Sequence, residues 1–256
     1  WQRSGDGEDW NMIIGADQVS YALDDEDVGQ QVRAVISYID GQGTKESVAS
    51  LVSDVIGNIN DAPEGSVVIT GTLSQGQTLF ADTHGLKDAD GIGTFSYQWQ
   101  RTEDGTLWVD MEGQEEKSLT LTSTEVGEQI RVLVSYTDTY GTTETVVSEV
   151  SSAVTNVNDA PTGSILLEGS FVEDEVLTVI TGNLEDNDGL GDLNYQWQRS
   201  GDGEDWNMII GADEDRYTLD DDDVGQQVRS VISYTDGQGT YESVVSSVSD
   251  VIGNVN

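Results

Sequence analysis

A six-residue string, Asn58-Ile59-Asn60-Asp61-Ala62-Pro63, returns as Asn156-Val157-Asn158-Asp159-Ala160-Pro161, and its first half returns again as Asn254-Val255-Asn256. The spacing is 98 residues each time. A polar joint at one fixed period restricts the chain to a tandem array, because each period must fold as a unit and hand on to the next. The chain's two prolines are those of the joints. The array reads as a partial repeat over 1–57, a linker 58–61, a complete repeat 62–155, a linker 156–159 and a complete repeat 160–256. Units of this size can bury a core. Residues 1–17 recur unchanged as 197–213, a mark of recent duplication. The opening inside a repeat reads as a window cut from a longer protein.

Between the joints the chain is rich in Ser, Thr and Val, with 29 glycines. That mix favours short strands joined by turns. In the middle repeat, residues 66–72, 77–82, 95–101, 108–111, 118–122, 129–137 and 143–155 read as seven strands, A, B, C, C′, E, F and G. Strand F puts Ile130, Val132, Val134 and Tyr136 on one face and Arg131, Leu133, Ser135 and Thr137 on the other. No segment carries a helical period. The expectation is all-β, a seven-strand β-sandwich in each complete repeat, with Trp99 and Trp197 in the cores.

There are 49 acidic residues against 10 basic ones, a formal net charge of −39. Such a surface repels nucleic acid and anionic membrane, so its small partners are cations; the plainer reading is solubility in salt water. Without cysteine there is no disulfide, zinc thiolate or thiol nucleophile. His84 is the single histidine, so triads and zinc hydrolase sites are not expected. Nothing marks a carboxylate pair in a cleft, and the chain is read as no enzyme. No apolar run is long enough for a membrane-spanning helix, and no signal peptide is visible.

Strand parity decides which loops meet. In an antiparallel sandwich the B–C and F–G loops lie at the near end, where the chain enters a repeat, and the A–B, C–C′ and E–F loops lie at the far end. The first joint, Asn58, Asn60 and Asp61, should therefore meet Asp88 and Asp90 of the B–C loop and Asp138 of the F–G turn. The partial repeat offers Asp25 and Asp27, with Asp24, Glu26 and Asp6. The second joint, Asn156, Asn158 and Asp159, should meet Asp186, Asp188 and Asp236, with only Glu125 and Asp104 from the preceding repeat. Six to eight oxygens suit Ca²⁺, and the second joint is expected to bind no more ions than the first. Asp-x-Asp-Gly alone is also ordinary turn chemistry. It departs from the helix–loop–helix calcium pattern, since Ile92 and Trp99 stand where that motif needs ligands. The acidic run 220–223 reads equally as a solvated face. Trp10, Trp108 and Trp206 on the C–C′ hairpins would either line a sugar site or cover a sheet face.

The strings N-x-N-D-A-P, D-x-D-G-x-G, Y-Q-W-Q-R-S-x-D-G, D-V-G-Q-Q-(V/I)-R and V-S-Y-T-D-x-x-G together resemble the immunoglobulin-like tandem repeats of large bacterial surface adhesins of the RTX type. The joint is similar to the calcium-binding linker of cadherins. With one strand between C and E, and no cysteine pair, the layout is closer to a fibronectin-type sandwich than to an antibody domain. The resemblance implies a secreted protein at the cell surface, its repeats serving as an extender that calcium stiffens from a string into a rod. Implied partners are calcium ions and neighbouring repeats, with no nucleic acid and no membrane insertion. A rival reading is a self-assembling surface-layer, sheath or filament subunit, because the partial repeat lacks strands A and B and leaves a sheet edge open.

Overall fold

The alternation on strand F sets the architecture, since it gives one face to a core and leaves the other partly exposed. The structure, a computed structural model, describes residues 1–255. Asn256, the last residue of the third joint copy, lies outside the described residues. The partial repeat holds β1 (Gln2–Ser4), β2 (Asn11–Met12), β3 (Gln31–Arg33), β4 (Val35–Ile39) and β5 (Lys45–Ala49). The middle repeat holds β6 (Val68–Thr70), β7 (Thr78–Asp82), β8 (Ser96–Thr102), β9 (Val109–Asp110), β10 (Ser118–Thr120), β11 (Gln129–Thr137) and β12 (Thr143–Val147). The last repeat holds β13 (Leu166–Glu168), β14 (Val176–Ile180), β15 (Asn194–Ser200), β16 (Asn207–Met208), β17 (Arg216–Thr218), β18 (Gln227–Thr235) and β19 (Tyr241–Val245).

Each complete repeat is a sandwich of three strands on four. In the middle repeat the sheets run β10-β7-β6 and β12-β11-β8-β9; in the last they run β13-β14-β17 and β16-β15-β18-β19. Every ladder is antiparallel. The C′ strand pairs with C in the sheet that also holds F and G, which is the fibronectin-type layout. The structure thus is all-β, as the alternation required.

The chain divides into two compact units. One comprises residues 1–72, 78–120 and 128–153; the other comprises 73–77, 121–127 and 154–256. The first unit buries Trp99, Leu79, Ala81, Ile130, Val132 and Val134 completely. The core of the second gathers Trp197, Leu177, Leu219, Val228, Ile232 and Tyr234. Indole N–H groups are costly to bury unpaired. Trp99 Nε1 donates to the Glu116 carbonyl and Trp197 Nε1 to that of Glu214, both at 2.9 Å.

Strand G departs from the sequence reading. The expected strand over 143–155 pairs only as far as Val147. Beyond it, hydroxyls take the ladder's place: Ser148 Oγ accepts from Val132 N at 3.0 Å and Ser151 Oγ from Ile130 N at 2.8 Å. The chain then turns to the far end, where Val154 bridges Val126 and Thr155 bridges Ser74, both parallel. Ser246 and Ser249 repeat the device on Ser230 and Val228.

The partial repeat has a C′-C-F sheet, β2-β1-β3, and a separate β4-β5 pair. Its apolar face is open: Ile36 is 68% exposed and Tyr38 51%, whereas Ile232 and Tyr234, at the same positions of the last repeat, are 0% exposed. This pair of identical residues isolates burial from chemistry. Ile232→Ala should cost about 2–5 kcal/mol by removing buried methylenes. Ile36→Ala should stay within about 0.5 kcal/mol. Denaturant unfolding of the two variants measures both.

Candidate metal-binding joints

Glycine lets the B–C loop fold onto the end of strand F. A side chain at Gly93 would place its Cβ 2.1 Å from the Thr137 carbonyl oxygen, and one at Gly191 would lie 2.0 Å from that of Thr235. With no Cβ there, the loop closes, and Thr139 N donates to the Asp90 carbonyl at 3.1 Å. Asp90 and Asp138 are so brought to one end of the sandwich, as parity required. The joint is drawn in as well: Asp61 N donates to Asp90 Oδ2 at 2.7 Å, and Asp159 N to Asp188 Oδ2 at 2.7 Å.

Asp90, Asp138 and Asp236 are each held at one oxygen and left open at the other, whereas Asp88 and Asp186 are held at both. Asp138 Oδ1 accepts from Tyr140 N and Thr142 N at 2.8 and 2.9 Å, and Asp236 Oδ1 does the same with Gln238 N and Thr240 N. Asp88 Oδ1 accepts from Asp90 N, while its Oδ2 takes the hydroxyl of Tyr136. Asp186 is held likewise by Asp188 N and by the Tyr234 hydroxyl at 2.5 Å. What remains is a set of buried oxygens with no donor: Asn58 Oδ1, Asp90 Oδ1 and Asp138 Oδ2 at the first joint, Asn156 Oδ1 and Asp236 Oδ2 at the second. Asp90, Asp138 and Asp236 are themselves buried, at 2%, 6% and 6% exposure. Buried oxygens that face no N–H or O–H have a cation as their natural complement. These residue types fit a hard divalent ion. Among the described residues, no group of three or more carboxylates or imidazoles converges closely enough to hold a metal ion by itself. The unpaired set is instead mixed in kind, one amide oxygen and two carboxylate oxygens at the first joint.

Other acids assigned to the joints have work elsewhere. Asp27 is fully buried, and accepts from the Tyr21 hydroxyl at 2.7 Å, Asp24 N at 3.1 Å and Arg3 Nη1 at 3.3 Å. It closes the capping box of a short 3₁₀ turn, Asp25–Asp27, so the residue read as a ligand serves its own repeat. Asp6 accepts from Ser4 Oγ and from the backbone N–H groups of Glu8 and Asp9, which hold it below the usual carboxylate range. Thr106 and Leu107 do the same for Asp104. Asp25 stays exposed and is the largest influence on Asp61, whose pKa is raised by Asp25, then by burial, Asp90, Asp88 and Glu64.

Sequence reading missed Glu144 and Glu242, which accept from Asn60 Nδ2 and Asn158 Nδ2 at 2.7 Å. The available signal was the glutamate returning at 46, 144 and 242. The hairpin tryptophans are covered: Arg33, Arg131 and Arg229 each lie 4.1 Å from the ring centroid of Trp10, Trp108 and Trp206. That is cross-strand cation–π packing, and it takes the ring face a sugar would need.

Burial first, then the bond to Asp88, raises the Tyr136 pKa well above its ordinary 10.0, and Tyr234 follows with Asp186. Above that ordinary value the unfolded chain loses the phenolic proton while the folded one keeps it, so stability falls as pH rises. Phenolate absorbance should therefore rise in two stages, the second coinciding with unfolding. In Tyr136→Phe the alkaline limit of folding should move up.

No protein-family model matches the chain, and no curated protein matches it by sequence. Among solved structures it is similar to a Ca²⁺-stabilized adhesin that helps an Antarctic bacterium reach out and bind ice, with a TM-score of 0.33 and 12% identity over 88% of this chain and 57% of that one. It is similar to a tetra-tandem repeat in the extending region of a large adhesion protein, with a TM-score of 0.26 and 16% identity over 87% of this chain and 56% of that one. A multi-domain piece of titin gives a TM-score of 0.28 and 15% identity over 88% of this chain and 74% of that one. The chain spans a little over half the length of the two adhesin structures.

Proposed function

We propose that the chain is a non-enzymatic extender stretch of a large cell-surface adhesin, displayed outside the cell, whose joints are stiffened by calcium. The observation that carries this is the set of buried oxygens without donors, at equivalent positions of two joints 98 residues apart. Asn58, Asp90 and Asp138 would hold the ion at the first joint, with Asn60, Asp61 and Asp88 around them. Asn156, Asp188 and Asp236 would hold it at the second, with Asn158, Asp159 and Asp186. A bound cation supplies the positive charge that these oxygens lack and offsets the repulsion between the carboxylates. On this reading the repeats run 1–57, 62–155 and 160–256, and the linkers between them are the parts that calcium orders.

A second reading is a self-assembling filament or surface-layer subunit. Sedimentation distinguishes the two: concentration-dependent polymers favour the filament, and a monomer at all concentrations favours the extender.

Thermal unfolding in chelator, in millimolar Mg²⁺ and in Ca²⁺ tests the calcium reading. A ligand of the folded state at a hundredfold excess over its Kd adds about 2.7 kcal/mol. The expected result is a calcium-specific rise in the midpoint; equal midpoints in all three conditions would overturn the reading. Asp61→Asn should act with opposite signs. It removes a carboxylate whose folded pKa is raised by like charges, so the chelated protein gains stability, while calcium affinity at the first joint falls.

A further inference from the structure

The two joints differ in what faces the linker aspartate. At the second joint Asp159 Oδ2 accepts from Gln75 Nε2 at 2.7 Å, and Gln75 Oε1 accepts from Val157 N at 3.4 Å. Gln75 sits between β6 and β7, in a loop tied to the chain that leads into the joint. Its N–H donates to the Thr155 carbonyl at 3.0 Å, and Thr155 N donates to that of Leu73 at 2.9 Å. A single neutral amide therefore grips the linker at its backbone and at its carboxylate. At the first joint Asp61 takes the place of Asp159. Among the described residues no donor bonds the Asp61 carboxylate, and its foremost electrostatic neighbour is Asp25, a like charge. In the middle repeat the position of Asp25 belongs to Ser123.

The last repeat supplies an internal comparison. Glu173 stands where the middle repeat has Gln75, and Asp221 where it has Ser123. Val255 N donates to Glu173 Oε2 at 3.2 Å, much as Val157 N does to Gln75. Glu173 also shares a hydrogen bond with Asp221, the leading cause of its raised pKa. Two carboxyls joined in this way need a proton or a cation between them. The swap of glutamine for glutamate thus converts a closed contact into one that requires a positive charge.

We propose that Gln75 takes the place of a cation at the second joint, so that the two joints differ in their requirement for metal. At the first joint Asp61 has no such tie, and only an ion in the Asn58, Asp90 and Asp138 cradle would order the linker. The buried Asp90 Oδ1 and Asp138 Oδ2, both without donors in the same joint, point independently to a cation there. The second joint is tied by the Gln75 amide, which holds the linker whether or not the cradle there is filled. The first half of this inference rests on the calcium reading; the Gln75 tie does not. An array built from both kinds of joint has some that stay ordered when calcium falls and some that do not.

The chain has no cysteine, so paired labels can be placed cleanly. Ser47→Cys with Thr145→Cys reports on the first joint, and Thr145→Cys with Ser243→Cys on the second; all three positions are exposed and equivalent in the repeat. Pulsed electron–electron distance measurements in chelator should give a broad distribution for the first pair and a narrow one for the second. Calcium should narrow the first. Gln75→Ala should broaden the second pair in chelator. Gln75→Glu should broaden it too, restore narrowness with calcium, and raise the calcium stoichiometry by one in calorimetric titration. A second pair as broad as the first in chelator, or unmoved by Gln75→Ala, would overturn the inference. A first pair indifferent to calcium, with Gln75→Ala still broadening the second, would reject the calcium reading and leave the Gln75 tie standing.

Discussion

Each joint depends on one hydrogen bond, from the backbone N–H of the linker aspartate to a carboxylate at the near end of the following repeat. The bond makes the linker a fixed part of that repeat. It also divides the carboxylate. Asp90 spends one oxygen on Asp61 N and turns the other, unpaired, into the protein. Asp138 is split in the same manner, with Oδ1 given to its own turn and Oδ2 left open. A group used at half capacity by its own chain is poised for a ligand, and buried oxygens left open carry a desolvation cost until something positive meets them.

The hydrophobic core and the joint are parts of one arrangement. Tyr136 is 2% exposed, the last inward residue of strand F, yet its hydroxyl holds Asp88. Strand F therefore sets the position of the loop acids as well as the packing of the sandwich. A slip of one residue in its register would expose the apolar face and withdraw the tyrosine together. The same logic holds for Tyr234 and Asp186.

Strand F was legible to the residue, because its alternation is strict and both neighbours pair with it: residues 129–137 are the observed β11. The poles were legible too, since parity alone brings Asp90 and Asp138 to the joint. Strand G was not, because Ser148 and Ser151 imitate backbone acceptors, and hydroxyls standing in for a ladder leave no mark on hydrophobic period. Asp27 was read as a ligand because acidic character does not separate a ligand from a cap; only the fold shows Tyr21 and Arg3 closing on it. Glu144 and Gln75 went unseen for a different reason. Each acts on a linker residue about eighty positions away, a distance over which sequence pattern says nothing.

The duplication seen at 1–17 and 197–213 has a consequence for how such a chain emerges from synthesis. Tandem domains of matching sequence are prone to exchange strands while still unfolded, and misassembly of that kind is a characteristic failure of repeat proteins. Here the matching copies are not adjacent. The repeat between them keeps the core tryptophan and the turn glycines but changes much of its C–C′ hairpin, from Ser-Gly-Asp-Gly-Glu-Asp to Thr-Glu-Asp-Gly-Thr-Leu. A nascent repeat therefore has as its immediate neighbour one whose C–C′ turn differs from its own, and the copy that matches it there is a full repeat away. Divergence in that turn is where neighbouring repeats would tell their own hairpin from the next, a distinction that an array of uniform copies would lack.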